Sequence, residues 1–170
     1  MNAMTEVRPF QFAQFRTAPL RALGKFLVLV LRYLLALFFL GSTLNKLVKG
    51  WLWSDAGAKI FEARLAEIDP ESFSGLFLSK FAIPFHIPVA WVFVITTISV
   101  TVSMTLGLMT RLGGVLAFWL MVMIAIGGYY DAALIPLWLI AALFIVLPTG
   151  RWFGLDRRLH ARYPDSPWFR

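Results

Sequence analysis

The run from Phe26 to Leu47, FLVLVLRYLLALFFLGSTLNKL, constrains this chain more than any other stretch, because it is apolar over a full helix length and interrupted by one internal cation. At 1.5 Å per residue it reaches about 33 Å, enough to cross a hydrocarbon core of roughly 30 Å. Arg32 lies about 9 Å inside its start, and Asn45 and Lys46 close its far end. At about 100° per residue, Arg32, Phe39, Thr43 and Lys46 share one helix face, with the two cations roughly 21 Å apart. A mean hydropathy of +0.75 with only 15% charged residues places this segment in lipid instead of in a soluble core.

The same apolar pattern predicts three more spans. Residues 88–109 carry no charge and set Thr97, Thr101 and Thr105 on one face, where their hydroxyls bond back to a carbonyl or across to a neighbouring helix. Residues 112–129 hold Gly113 and Ala117 in a small-xxx-small pair that permits close helix approach. Residues 132–148 admit Pro136 in their first turn and end at Pro148. The first two spans are joined by residues 48–87. There Trp51 and Trp53 suit an interface, and Ile60, Phe61, Leu65 and Ile68 recur at helical spacing among charges. Phe73, Leu76, Phe77, Phe81 and Phe85 then form a second surface-hugging or re-entrant piece, with a bend between Pro84 and Pro88 and the next helix starting near Pro88.

Residues 1–25 read as an interfacial arm in which Pro9 and Pro19 break any long helix, and residues 149–170 as a basic amphipathic tail. The small-x-small pair Ala56 and Ala58 lies too far beyond the first apolar run for signal-peptide cleavage, so the first helix is expected to stay attached. The expected fold is therefore one all-α integral membrane domain. It is a four-transmembrane-helix bundle with an amphipathic extracytoplasmic segment and interfacial terminal arms.

Orientation follows from the cations. With both termini cytoplasmic, the inner side of a prokaryotic plasma membrane holds Arg8, Arg16, Arg21, Lys25, Arg111, Arg151, Arg157, Arg158, Arg162 and Arg170 against only Glu6, Asp156 and Asp165. The outer side holds Lys46, Lys49, Lys59, Arg64 and Lys80 against Asp55, Glu62, Glu67, Asp69, Glu71 and Asp131. Because the cations flank apolar runs, the net charge of +7 speaks for topology and anionic lipid and against nucleic acid.

Chemistry is sparse. The absence of cysteine removes disulfides, thiolate metal sites, iron–sulfur ligation and persulfide chemistry within the chain. His86 near the outer surface and His160 in the inner tail cannot share a metal, and no carboxylate cluster completes one, so no metal site is expected. Arg32 either snorkels to headgroups or bonds a neighbouring helix, or it faces an anionic or quinone ligand. Lys46 with Asn45 is either an interfacial anchor or part of a site opening outward. His86 is either held at a bend or handles a proton. Arg32, Asn45, Lys46 and His86 are thus the candidate ligand-binding residues, and no catalytic set of nucleophile, base and orienting group is visible.

RYLLALFFLGSTLNKL in the first span, GLMTRLGG between the second and third, and PTGRWFGLDRRL after the fourth resemble the DoxX-like membrane proteins. The closing GRWFGLD is most similar to the DoxD branch, the small subunit of thiosulfate:quinone oxidoreductases. The resemblance covers about residues 26–160 and implies a four-helix membrane bundle that passes electrons from a sulfur compound to quinone. It marks Gly41, Gly107, Thr110, Arg111, Gly150 and Asp156, with Arg32, Asn45 and Lys46, as the positions carried over by motif. Two functions are open at this point. One is a membrane subunit of a quinone-linked oxidoreductase, with quinone as the implied cofactor. The other is a non-catalytic accessory or scaffold subunit of a larger respiratory or photosynthetic complex. Both imply the lipid bilayer and other membrane subunits as partners.

Overall fold

The computed structural model describes residues 9–132, 134–166 and 169; Glu6, Arg8, Trp168 and Arg170 of the expected arms lie outside the described residues. Helix makes up 74% of the structure and no strand occurs among the described residues, so the long apolar segments satisfy their own backbone N–H and C=O groups. In chain order the helices are α1 (Gln14–Thr17), α2 (Pro19–Val48), α3 (Ala56–Leu65), α4 (Phe73–Phe77), α5 (His86–Leu106), α6 (Thr110–Ile126), α7 (Leu134–Val146), α8 (Thr149–Trp152) and α9 (Asp156–Arg162). A π-helical turn, Leu78–Ala82, follows α4 directly.

The element boundaries depart from the sequence reading for local reasons. Pro19 does not break a helix but begins one, since a proline at the first helical position gives up an N–H that has no partner there. Helix α2 therefore starts ahead of Phe26 and runs through Lys25, so residues 19–25 belong to the helix and not to the arm. Helix α5 likewise starts at His86, ahead of Pro88. The basic tail is not one amphipathic helix. It divides into α8 and α9, because Phe153 is extended and Gly154 takes φ +156°.

Two helices, α2 and α5, are long and apolar enough to cross a membrane. Helices α6 and α7 are apolar but shorter, at 17 and 13 residues, or about 26 and 20 Å. All four pack in sequence, α2 on α5, α5 on α6 and α6 on α7, with a smaller contact closing α7 onto α2. The shared core joins Leu35, Ala36 and Phe39 of α2, Val100 and Met104 of α5, Ala117, Leu120 and Met121 of α6, and Ala141 and Phe144 of α7.

Polar side chains within the bundle are spent on the helices themselves. The single hydroxyl proton of Thr43 is shared between the Phe39 carbonyl at 2.9 Å and Thr97 Oγ1 at 2.8 Å, while Thr101 donates back to the Thr97 carbonyl at 2.8 Å. An even number of long helices also returns the chain to its starting end. Phe10 N–H donates to the Trp152 carbonyl at 3.0 Å, and Leu155 N–H to the Leu106 carbonyl at 3.0 Å. The arm, the α5–α6 turn and the tail are therefore neighbours.

Helix α6 packs between α5 and α7, and its glycines set its distance from both. A Cβ on Gly113 would fall 2.2 Å from Ser103 Oγ of α5, and one on Gly114 would fall 2.9 Å from the Ile145 nitrogen of α7. The second contact is with backbone and cannot be relieved by a rotamer change. Gly41 in α2, by contrast, faces open space. Gly114→Ala is expected to destabilise the chain by about 1–3 kcal/mol through overpacking. Gly41→Ala should leave it unchanged or gain up to about 1 kcal/mol from helix propensity. Thermal unfolding of the detergent-solubilised variants measures both, and equal midpoints would show that α6 and α7 do not approach this closely.

Candidate functional site

The candidate residues fall at opposite ends of the bundle, and the two ends are built differently. At the end where the chain begins, Arg32 is wholly buried. Its Nη1 donates to the Thr149 carbonyl at 3.0 Å, its Nη2 donates to the Tyr33 hydroxyl at 3.1 Å, and the guanidinium lies 4.9 Å from the Tyr33 ring centre. This arrangement answers the burial of a charge with acceptors and a ring face. Its Nε has no hydrogen-bond partner among the described residues.

Asp156 is the second buried charge at this end, at 3% exposure. One carboxylate oxygen accepts from the Met109 N–H at 2.5 Å; the other accepts from the Thr110 N–H and the Thr110 hydroxyl, both at 3.0 Å. Those amides are the unpaired donors at the start of α6, so a residue of the tail caps a helix of the bundle. The cap also holds Met109, a non-glycine residue at φ +49°, in place.

Gly107 and Gly150 allow this closeness. Gly107 takes φ +62° at the end of α5, and a Cβ there would stand 2.7 Å from Gly154 Cα and 3.2 Å from Arg32 Nη1. A Cβ on Gly150 would overlap the Asp156 carboxylate, and Gly150 N–H donates to Thr110 Oγ1 at 3.2 Å. Arg32, Gly107, Thr110, Gly150 and Asp156 therefore converge on one knot. Arg111 lies beside it near Arg151, whose pKa is pulled below its ordinary value by burial first and by the Arg111 charge second.

The opposite end is open. A cavity of about 340 Å³, within the usual range for small-molecule sites, lies between the C-terminal turns of α2 and α6, helix α3, the π-helical turn and the start of α5. Asn45 and Lys46 line it together with Trp51, Ile60, Phe61, Phe77, Phe93 and Tyr129. Lys46 Nζ donates to Ser42 Oγ at 2.7 Å and stands 5.3 Å from the centre of the Trp51 ring, so a partly buried ammonium is steered along the cavity wall. The Trp51 indole N–H is buried without a hydrogen-bond partner among the described residues. Arg64 fastens α3 over the space. Its Nε donates to the Gly128 carbonyl at 3.1 Å, its Nη2 donates to the same oxygen, and its guanidinium lies 5.0 Å from the Tyr129 ring centre.

The structure thus brings Asn45 and Lys46 together and separates them from Arg32. His86 is not in the cavity wall. It contacts the Ile83 carbonyl at 3.0 Å through Nδ1 and Asp55 at 3.4 Å through Nε2, tying the start of α5 to the start of α3. Gly41 joins neither group. Sequence reasoning overlooked Tyr33, Thr149 and Gly154 at the knot. Thr149 and Gly154 flank or sit within the GRWFGLD motif, which was the available signal. It also overlooked Phe93 and Tyr129 at the cavity, where no polar signature marks them. Among the described residues no group of three or more His, Cys, Asp or Glu side chains is arranged to hold a metal ion. Comparison with models of protein families, with curated proteins and with solved structures finds no match to this chain.

Removing the Asp156 carboxylate leaves several donors without an acceptor in a buried place, each costing about 1–3 kcal/mol. Asp156→Ala is therefore expected to lose at least about 2 kcal/mol, whereas Arg158→Ala at an exposed position of the same helix should stay within about 0.5 kcal/mol. The check is the thermal unfolding midpoint of each variant; parity between them would remove Asp156 as the cap of α6.

Proposed function

We propose that this chain is a four-span membrane subunit of a quinone-linked oxidoreductase and that it holds a quinone ring in the cavity at the end of α2. The four-span reading is supported by the outward faces of all four long helices, which expose Leu34, Leu37, Ile95, Val102, Val115, Phe118, Ile135 and Leu139. Helices α6 and α7 are short for a span, but they pack on each other, α6 also packs on α5, and the sequence flanking α7 is apolar. With four spans both described termini share one side, and the positive-inside rule makes that side the cytoplasm of a prokaryotic plasma membrane.

The observation that carries the quinone reading is a mostly aromatic and aliphatic cavity with an ammonium and an amide in its wall. A quinone is a flat ring with two carbonyl acceptors. Trp51, Phe61, Phe77, Phe93 and Tyr129 provide flat walls, and Lys46 Nζ and Asn45 provide donors toward a carbonyl. When bound, the quinone would take up two electrons and two protons. The protein's part is to bind and orient the ring, with the Lys46 ammonium stabilising negative charge developing on the oxygen it faces. The chain has no cysteine to carry oxidised sulfur, so the proposal assigns the donor side to a partner subunit. The resemblance to DoxX-like proteins, and to their DoxD branch, supports a sulfur compound as that donor.

Lys46→Leu is expected to weaken binding of a short-chain benzoquinone to the purified chain by about tenfold or more, the loss of one charge-assisted hydrogen bond. Arg32→Leu, at the far end, should leave the affinity within about twofold while lowering the yield of folded protein. Quenching of tryptophan fluorescence reads the binding. Equal loss in both variants, or none in Lys46→Leu, refutes the placement and leaves an accessory role without quinone as the reading to pursue.

Topology has its own check. In intact cells a cysteine replacing the exposed Glu71 should react with an impermeant maleimide, and one replacing the exposed Asp165 should react only after lysis. Labelling of both from outside rules out an even number of spans with internal termini.

A further inference from the structure

The end of the bundle that holds the Arg32 knot also carries a pair of cations that the fold leaves unanswered. Arg111 lies in the first turn of α6 and Arg151 in α8, and both are half-buried. Burial, and after it the charge of nearby Arg111, pulls the Arg151 pKa below its ordinary value. Arg111 Nε is shut away from solvent and has no hydrogen-bond partner among the described residues. The ion pairs among those residues join Arg64 to Glu67 and His86 to Asp55, so neither of these two guanidiniums meets a carboxylate. Asp156, the acid of the knot, spends both oxygens on Met109 and Thr110. Two like charges held together at partial burial, with no acid between them, repel each other until an outside anion joins them.

We propose that Arg111 and Arg151 form a binding site for the phosphate of an anionic phospholipid. The site lies apart from the Lys46 cavity, and it rests on the four-span reading without depending on the quinone. Chemistry and position select this occupant. A guanidinium presents parallel N–H donors that match two phosphate oxygens, and two guanidiniums answer both the charge and the geometry of the group. Arg157 and Arg158, exposed on neighbouring α9, add positive potential. That potential repels the ammonium of a zwitterionic headgroup, so a headgroup without one is favoured.

What lies beneath the pair separates a lipid from free phosphate. Arg111, Val115 and Phe118 share one face of α6 at helical spacing, and Val115 and Phe118 are exposed. Leu139 and Val146 share a face of α7 and are exposed as well, and α7 packs on α6. Arg151 follows shortly after Val146, where α7 has ended and α8 begins. Both outward apolar faces therefore end at the arginines. Hydrocarbon below and cations above match the acyl chains and phosphate of one phospholipid.

Native mass spectrometry of the purified chain in a neutral detergent tests the site, with dioleoylphosphatidylglycerol and dioleoylphosphatidylcholine offered at equal concentration. The wild-type chain is expected to retain phosphatidylglycerol about tenfold more than phosphatidylcholine, and Arg111→Gln combined with Arg151→Gln to lower that retention by about tenfold. Removing as much charge by Arg157→Gln combined with Arg158→Gln should change it by less than about threefold, since those side chains are exposed. In lipid-free detergent the Arg111→Gln, Arg151→Gln variant should unfold at or above the wild-type temperature, and of these two only the wild type should gain from added phosphatidylglycerol. A lower midpoint for that variant before lipid is added overturns the proposal, because the arginines would then be answered within the fold. Equal loss of lipid in both double variants overturns it as general surface charge. Displacement of the lipid by equimolar inorganic phosphate overturns the phospholipid assignment in favour of a free anion. A chain that washes out of membranes in alkaline carbonate overturns the four-span reading and the site with it, whereas one that stays but shows no preference for phosphatidylglycerol overturns the site alone.

Discussion

A guanidinium removed from water has to be met by acceptors fixed in advance, and that requirement sets the geometry of half this molecule. The acceptors of Arg32 are the hydroxyl of its neighbour Tyr33 and a main-chain carbonyl of α8. For the carbonyl to arrive there, α7 has to end at the right depth, and the tail has to turn back under α5. Gly107 and Gly154 permit that turn by meeting almost backbone to backbone, and Asp156 then caps α6 from the tail. Helices α2, α5, α6 and α7 are thus held in register at one end by polar bonds, whereas along their length the contacts are apolar and less selective about sliding.

The other end follows a different logic. Among the described residues no comparable polar knot gathers the helix ends there, and the segment between α2 and α5 covers the opening with short pieces. Helix α3 packs on the π-helical turn and on α5, and it is fastened by Arg64 on the Gly128 carbonyl and by Trp51 against Phe61. The contrast gives the bundle a closed end and a hollow end. It also separates the two cations on one face of α2 into unlike roles: Arg32 is enclosed by the fold, while Lys46 borders a space.

Much of the architecture could be read from the chain because apolar length and proline or glycine punctuation are local signals. The four apolar segments appear as helices, although α2 begins at Pro19 instead of Phe26. What could not be read was long-range. Pro19 looks alike as a breaker and as a first helical residue, and only the helix that follows decides between them. Arg32 near a helix start supports snorkelling and interhelix bonding equally well until its acceptor, far along the chain, is placed. His86 seemed level with Lys46 because both stand near the same end, yet the bend before α5 turns it toward Asp55. The cavity was legible only through Asn45 and Lys46, since its aromatic walls carry the same residues as any lipid-facing surface.

The hydrogen bond from Arg32 to Thr149 spans 117 residues of sequence. During synthesis at about 5–20 residues per second, α2 leaves the ribosome on the order of ten seconds before its acceptor exists. Throughout that interval the guanidinium lacks the Thr149 carbonyl and has only the Tyr33 hydroxyl of its own helix as a described side-chain acceptor. The set of acceptors around Arg32 is therefore complete only when the start of α8 is delivered. A chain released early, lacking α8, would carry the same apolar helix with one acceptor of its guanidinium missing.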